Sequence, residues 1–147
     1  MINVRKLLVP VDFSDFSERA LAVAADLAEK FGATLHLVHV YPAAAYVAPP
    51  LIAGPVVVGQ FREESQRVFD AFVARVKGEL KAEIDASLQE GVPHVEIIRC
   101  ATDVKADMIV MGTHGRTGLD HLLLGSVAER VVRGSTIPVL TVPRPRG

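Results

Sequence analysis

Short, nearly continuous apolar runs alternate along the chain with longer stretches in which apolar residues recur every three or four positions. Residues 5 to 11 (RKLLVPV) and 34 to 41 (TLHLVHVY) are runs of the first kind, rich in β-branched side chains, and each predicts a strand. Between them Ala20, Leu21, Ala24, Leu27, Ala28 and Phe31 mark one face of a helix. Asp15 and Glu18 stand at capping-box spacing before it, and Gly32 stops it. Strands apolar on both sides fit a parallel sheet covered by helices on each face.

Farther along, Phe61, Val68, Phe72, Val76 and Leu80 lie on one side of a second helical pattern, with Arg62, Glu63, Glu64, Arg67 and Asp70 largely on the other. The periodicity runs on through Ile84 and Leu88, yet residues 84 to 89 also suit a short strand, and the alternation of elements favours the strand. Gly91 and Pro93 then punctuate, and Pro93 fits the first turn of a short helix carrying Ile97, Ile98 and Ala101. Asp107 introduces the strand MIVMG, residues 126 to 133 form a last helix stopped by Gly134, and residues 137 to 142 (IPVLTV) a final strand. The whole predicts an α/β fold: a doubly wound, five-stranded, mostly parallel sheet with right-handed crossovers, in one domain spanning residues 1 to 147.

Residues 42 to 59 break the alternation. The uncharged stretch around them is as long as a membrane span, but Pro42, Pro49, Pro50 and Pro55 with Gly54 and Gly59 would leave backbone groups unsatisfied in lipid. It reads instead as a long Pro-rich connection of the kind that forms lids, binding loops or disordered inserts. No membrane association is expected.

Composition narrows the function. Lys and Arg total 16 against 17 Asp and Glu, a formal net charge of -1, so no polycationic surface draws in nucleic acid. The single cysteine, Cys100, forms no internal bridge, and the N-terminal residues lack the plan of a secretory signal, which makes the cytoplasm the expected location.

In such sheets ligands collect at the carboxyl ends of the strands, near the point where the connections change face. Three segments arrive there: Val9, Pro10, Val11 and Asp12 from the first strand, Val38, His39 and Val40 from the second, and Met111 and Gly112 from the fourth. Gly112 opens the loop GTHGRTGLDHLLLGS, with Gly115, Gly118 and Gly125, which runs into a helix near Ser126. Glycines admit an anion to the backbone and a helix N-terminus offers unpaired amides, so the loop is a phosphate cradle in physical terms. It matches neither the GxxxxGK[ST] nor the GxGxxG fingerprint. The plainer alternatives are turn and cap roles for single glycines, a cap or turn role for Asp12 and an N-cap role for Ser126.

The spacing of Gly112, Gly115 and Gly125-Ser126 after IVM, with LVPVD far upstream, resembles the ATP-binding branch of the universal stress protein family over nearly the whole chain. The resemblance implies bound ATP, with Mg2+ or Mn2+, in a small homodimeric regulatory protein of little or no turnover. It assigns Pro10, Val11, Asp12 and Val40 to adenine and ribose, and Met111 and Gly112 to the flanks of the adenosine. Gly115, Gly125, Ser126 and Val127 take the phosphate-loop positions, with His114 and Arg116 in the same loop. It also implies that two copies pair antiparallel through the final strand, by Val139, Leu140 and Val142. The composition of the 42 to 59 segment departs from the family pattern.

Rival chemistry is weak. His36 and His39 are an odd number of residues apart on one strand and so face opposite ways, and the other histidines lack metal-ligand spacing. Ser126, His114 and Asp12 have the residue types of a hydrolytic triad without a GxSxG elbow. Cys100 fits an inert buried thiol. A slow ATPase or nucleotide-processing enzyme using the same crevice is the alternative reading, and an interaction module with an empty pocket a third.

Overall fold

A computed structural model describes residues 2–43, 54–115 and 124–144. The elements run β1 (Lys6–Pro10), α1 (Asp15–Phe31), β2 (Thr34–Tyr41), α2 (Pro55–Glu79), β3 (Ile84–Glu90), α3 (Pro93–Asp103), β4 (Met108–Gly112), α4 (Ser126–Gly134) and β5 (Val139–Val142). The strands form one five-stranded parallel sheet in the order β3-β2-β1-β4-β5. The fold is therefore the doubly wound α/β architecture that the alternating pattern predicts.

β1 is central and buried: Leu7, Leu8 and Val9 have no exposed surface. Leu7 and Val9 pack with Leu35, Leu37 and Val110 beneath Ala20, Leu21, Ala24 and Ala28 of α1 and Phe69, Phe72 and Val76 of α2. Leu8, Val38, Ile109 and Met111 face the other way, under Ile97, Cys100 and Ala101 of α3 and Ala128 and Val131 of α4. Connections up to β3 use one face and those after it use the other. The change falls between β1 and β4, where two chain directions part and leave a crevice at their carboxyl ends. At the opposite end Asp107 Oδ2 accepts the N–H groups of Arg5 (2.8 Å) and Lys6 (2.9 Å), which ties the start of β4 to that of β1.

Several boundaries differ from the sequence expectation, each for a local reason. Ser14, not Asp15, caps α1: its hydroxyl accepts from the Ser17 N–H, and Asp15 and Glu18 instead complement the helix dipole in the first turn. Phe31, expected on the buried face, is 54% exposed beside the left-handed Gly32 that ends α1. α2 starts at Pro55, so the end of the Pro-rich segment is helical: proline suits the first helical turn because its missing N–H has no partner there. Residues 44–53 of that segment lie outside the described residues. The inner face of α2 is Phe69, Phe72 and Val76, while Val68 is exposed and Phe61 meets the Tyr41 ring at 5.8 Å. Residues 84 to 90 are a strand. Gly125 takes the N-cap of α4 and puts Ser126 in the first turn, and Gly134 is still helical before Ser135 ends it. β5 begins at Val139, two residues later than the apolar run.

Candidate functional site

A cavity of about 250 Å³ opens between β1 and β4 at the carboxyl end of the sheet. Pro10, Val11 and Asp12 line it from β1, Val40 from β2, and Met111, Gly112, His114 and Gly115 from β4 and its following loop. Gly125, Ser126 and Val127 close it with the N-terminus of α4. These are the residues singled out in the sequence, brought to one place; Arg116 lies outside the described residues. The cavity also has Val38 and His39 in its wall, at the end of β2 where the sequence places them without a role, and walls that sequence reasoning missed: Ser17 of α1, Pro93 and Ile97 of α3, and Ala128 of α4.

The floor carries a directional polar pair. Val38 C=O accepts the Val11 N–H at 2.8 Å, on the β1 side, whereas Tyr41 C=O accepts the Gly91 N–H at 3.0 Å, on the β3 side. Backbone groups of successive strand residues alternate sides, so Val40 turns its N–H and C=O the same way as Val38. β1 ends at Pro10, paired with Val38, so the two Val40 groups open into the crevice.

Asp12 sits at the rim in a fixed pose. Its Oδ1 accepts the Ser14 N–H at 3.0 Å and the Ser14 hydroxyl, and its own N–H donates to Ser17 Oγ at 3.3 Å. Its Oδ2 faces Gly115 so closely that a Cβ there would lie 2.6 Å from it. The turn role and the rim position therefore coexist in one side chain. Gly112 is a glycine for a different reason: a Cβ would meet Phe16 Cβ at 2.8 Å and Phe16 O at 2.9 Å, so its smallness lets α1 pack on β4. Gly125 closes the loop by donating its N–H to Thr113 O at 2.6 Å, and a Cβ there would sit 3.2 Å from the same oxygen. As N-cap it aims the first amides of α4 at the cavity, a favourable setting for an anion.

Of the remaining titratable groups, His36 and Cys100 lie away from the cavity lining, whereas His39 is part of it. His36 is buried on the α3 side of β2 with Nε2 2.6 Å from Ser87 Oγ, and burial holds its pKa below 6.5 although Asp85 opposes the shift. His39 points to the opposite face, as the odd separation requires, with Nδ1 2.7 Å from Val11 O. Burial pushes the Cys100 thiol up, so it is protonated near neutral pH and a poor nucleophile. Among the described residues no group of three or more His, Cys, Asp or Glu side chains is arranged to hold a metal ion. Nor is any helix among them long and apolar enough to cross a membrane.

Comparison with known proteins gives a consistent picture. The model of the universal stress protein family matches residues 3–143. A universal stress protein of Methanocaldococcus jannaschii is 37% identical over 143 residues, covering 97% of this chain and 84% of its own. The solved structure of universal stress protein UspA from Lactobacillus plantarum superposes with a TM-score of 0.81 at 26% identity, covering 95% of this chain and 98% of that one. A universal stress protein solved in complex with cAMP superposes with a TM-score of 0.66, also at 26% identity, covering 96% of this chain and 98% of that one.

Proposed function

From the premise that the chain belongs to the universal stress protein family, we propose that the crevice between β1 and β4 binds ATP as a regulatory ligand with little or no turnover. The observation that carries this reading is the pairing of an adenine-like slot with an anion site in one cavity. Val40 presents a C=O and an N–H side by side, the complement of the amino group and ring nitrogen on the edge of adenine. Guanine presents an acceptor and a donor in the reverse order, so the slot rejects it. Val40 and Met111 supply apolar walls, Asp12 Oδ2 reaches the ribose hydroxyls, and the phosphates run toward Gly115, Gly125, Ser126 and Val127 at the N-terminus of α4. The volume, a little below the roughly 300 Å³ at which ligand pockets usually begin, suits a nucleoside with its phosphates extended toward the N-terminus of α4. The cAMP complex of a relative at similar coverage supports an adenine nucleotide as the ligand class.

A divalent ion fits this donor set as part of the nucleotide. Mg2+ keeps most of its waters and takes phosphate oxygens with one or two carboxylates, and Asp12 is the carboxylate at hand. Mn2+ would be held in the same way. Low turnover is part of this reading: the described cavity residues include no lysine or arginine to stabilise a transferring phosphoryl group, and Arg116 lies outside them. The same reading takes the chain as one cytoplasmic domain that dimerises through β5. There Val142 is buried against the α1 face and Val139 packs with the α4 face, which leaves Leu140, 37% exposed, for a partner.

Titration calorimetry with magnesium tests the ligand. ATP is expected to bind at least about tenfold tighter than GTP, since a reversed donor and acceptor pair leaves polar groups unpaired. Equal affinity for the two, or no heat with either, refutes the assignment.

A further inference from the structure

His39 lines the cavity, yet the nucleotide contacts described above give it no task. Its Nδ1 lies 2.7 Å from Val11 O, and a carbonyl oxygen only accepts, so Nδ1 carries a proton and donates. The N–H at the other end of that same peptide, on Asp12, donates to Ser17 Oγ at 3.3 Å. The Val11–Asp12 peptide is thus gripped on both sides, by β2 through His39 and by α1 through Ser17. The next residue, Phe13, has φ 67°, a left-handed conformation that costs a bulky side chain and persists only where its surroundings enforce it. The His39 ring is part of that enforcement: it lies 4.5 Å from the Phe13 ring, which also makes an edge-type contact with Phe72 of α2 at 5.2 Å. Asp12 stands between the gripped peptide and the strained residue, with its carboxylate against Gly115.

We propose that His39 is a positioning residue for the nucleotide site: its Nδ1–H holds the Val11 carbonyl, and its ring holds Phe13, so that Asp12 is presented at the rim in one orientation. As a statement about nucleotide affinity this rests on the reading of the cavity given above. In this proposal His39 acts through Asp12, as a positioning residue. An aliphatic residue of similar bulk would keep the apolar packing and lose the donor, whereas asparagine places an amide N–H near the position of Nδ1.

The test compares wild type, His39→Leu, His39→Asn, Asp12→Ala and the double variant His39→Leu with Asp12→Ala, titrated with MgATP. His39→Leu is expected to lose about tenfold in affinity and His39→Asn to stay within about threefold of wild type. In the Asp12→Ala background the added His39→Leu change is expected to cost less than about twofold, since residues that act through one another do not add. An additive loss, an unaltered His39→Leu variant, or an Asn variant as weak as the Leu variant overturns the proposal. Amide spectra of the same proteins without nucleotide separate it from the parent reading. His39→Leu is expected to displace the Asp12 and Gly115 resonances and His39→Asn to restore them. Failure of wild type to bind MgATP with those displacements present retires the nucleotide and keeps the positioning role; unmoved resonances overturn the positioning role itself. If His39→Leu does not fold, His39→Gln, whose amide overshoots the carbonyl, replaces it in every comparison.

Discussion

Gly115→Ala is the smallest change that separates the site from the fold. A Cβ at this position would lie 2.6 Å from Asp12 Oδ2, whereas ordinary contact begins near 3.4 Å, so the carboxylate has to retreat by about 0.8 Å. It is not at liberty to do so, because Oδ1 is held by the Ser14 N–H and hydroxyl. The backbone of Gly115 is not in the left-handed region, so alanine adds a steric effect alone. Hydrogen bonds to a charged group contribute about 1.5–3 kcal/mol. Displacing the carboxylate from ribose therefore lowers ATP affinity by roughly 10- to 150-fold. The fold suffers less, since the clash is with the end of a side chain. Gly112→Ala is the counterpart: its Cβ would strike Phe16 O at 2.9 Å, which is backbone of α1, so its effect falls on the melting temperature. Calorimetric titration with MgATP and thermal unfolding of both variants give the comparison. A Gly115→Ala protein that melts lower but binds ATP as wild type does, or two variants that lose stability and affinity in the same proportion, would refute the argument.

Asp12→Ala removes both the rim carboxylate and its bonds to Ser14, and is expected to cost at least about tenfold in ATP affinity with about 1 kcal/mol of stability. A sharp fall in melting temperature at unchanged affinity would leave Asp12 a turn residue and nothing more. Leu140→Lys is expected to convert a dimer into monomers that still bind MgATP, as read by light scattering on a size-exclusion column; a wild-type monomer at micromolar concentration, or a dimeric variant, argues against β5 as the interface. His36 sits below its ordinary pKa of 6.5 because of burial, so between those two values the unfolded chain binds a proton that the folded chain does not. Its contribution is accordingly whole above about pH 6.5 and is lost as the pH falls toward the folded value, and urea unfolding of wild type against His36→Asn down to about pH 5 is expected to show a steeper decline in wild type. Parallel declines would mean that His36 does not carry the effect.

The sheet was legible because burial on both faces writes itself into composition. β1, β2 and β4 read as apolar runs, and their carboxyl ends identified the crevice before any geometry. β3 was harder, since IDASLQE at a sheet edge is mostly polar and only the alternation of elements distinguished it from a longer helix. Pro55 and Gly59 look like breakers in the sequence, but a proline that breaks a helix interior also suits a helix's first turn, and position relative to the end is not a local property. The phase of α2 slipped from Phe61 and Val68 to Phe69 because the groove that receives it is made by β1 and β2, far off in sequence. The same distance hid Ser17, Pro93 and Ile97, and it hid what His39 bonds to at the strand end where the sequence places it. A histidine bonded to a carbonyl 28 residues away carries no spacing signature, and the nearest available signal was its place one residue before Val40 at a strand end.

The tie between β1 and β4 bears on how the protein is made. β1 meets β2 after a single helix, but the bonds from Arg5 and Lys6 to Asp107 span 102 and 101 residues. Such a closure is slow to form, and until it does one edge of β1, bearing Leu7, Leu8 and Val9, stays bare on the growing chain. The cavity is divided along the same line, with Asp12 and Val40 on the early side and Gly115 and Gly125 on the late side. A half-made chain thus holds no half-strength version of the site. A ligand that needs both sides stabilises the finished protein without helping it over the barrier, so MgATP is expected to slow unfolding in stopped-flow measurements and leave the refolding rate alone. Refolding that quickened with MgATP would mean instead that β4 reaches β1 before the barrier is crossed.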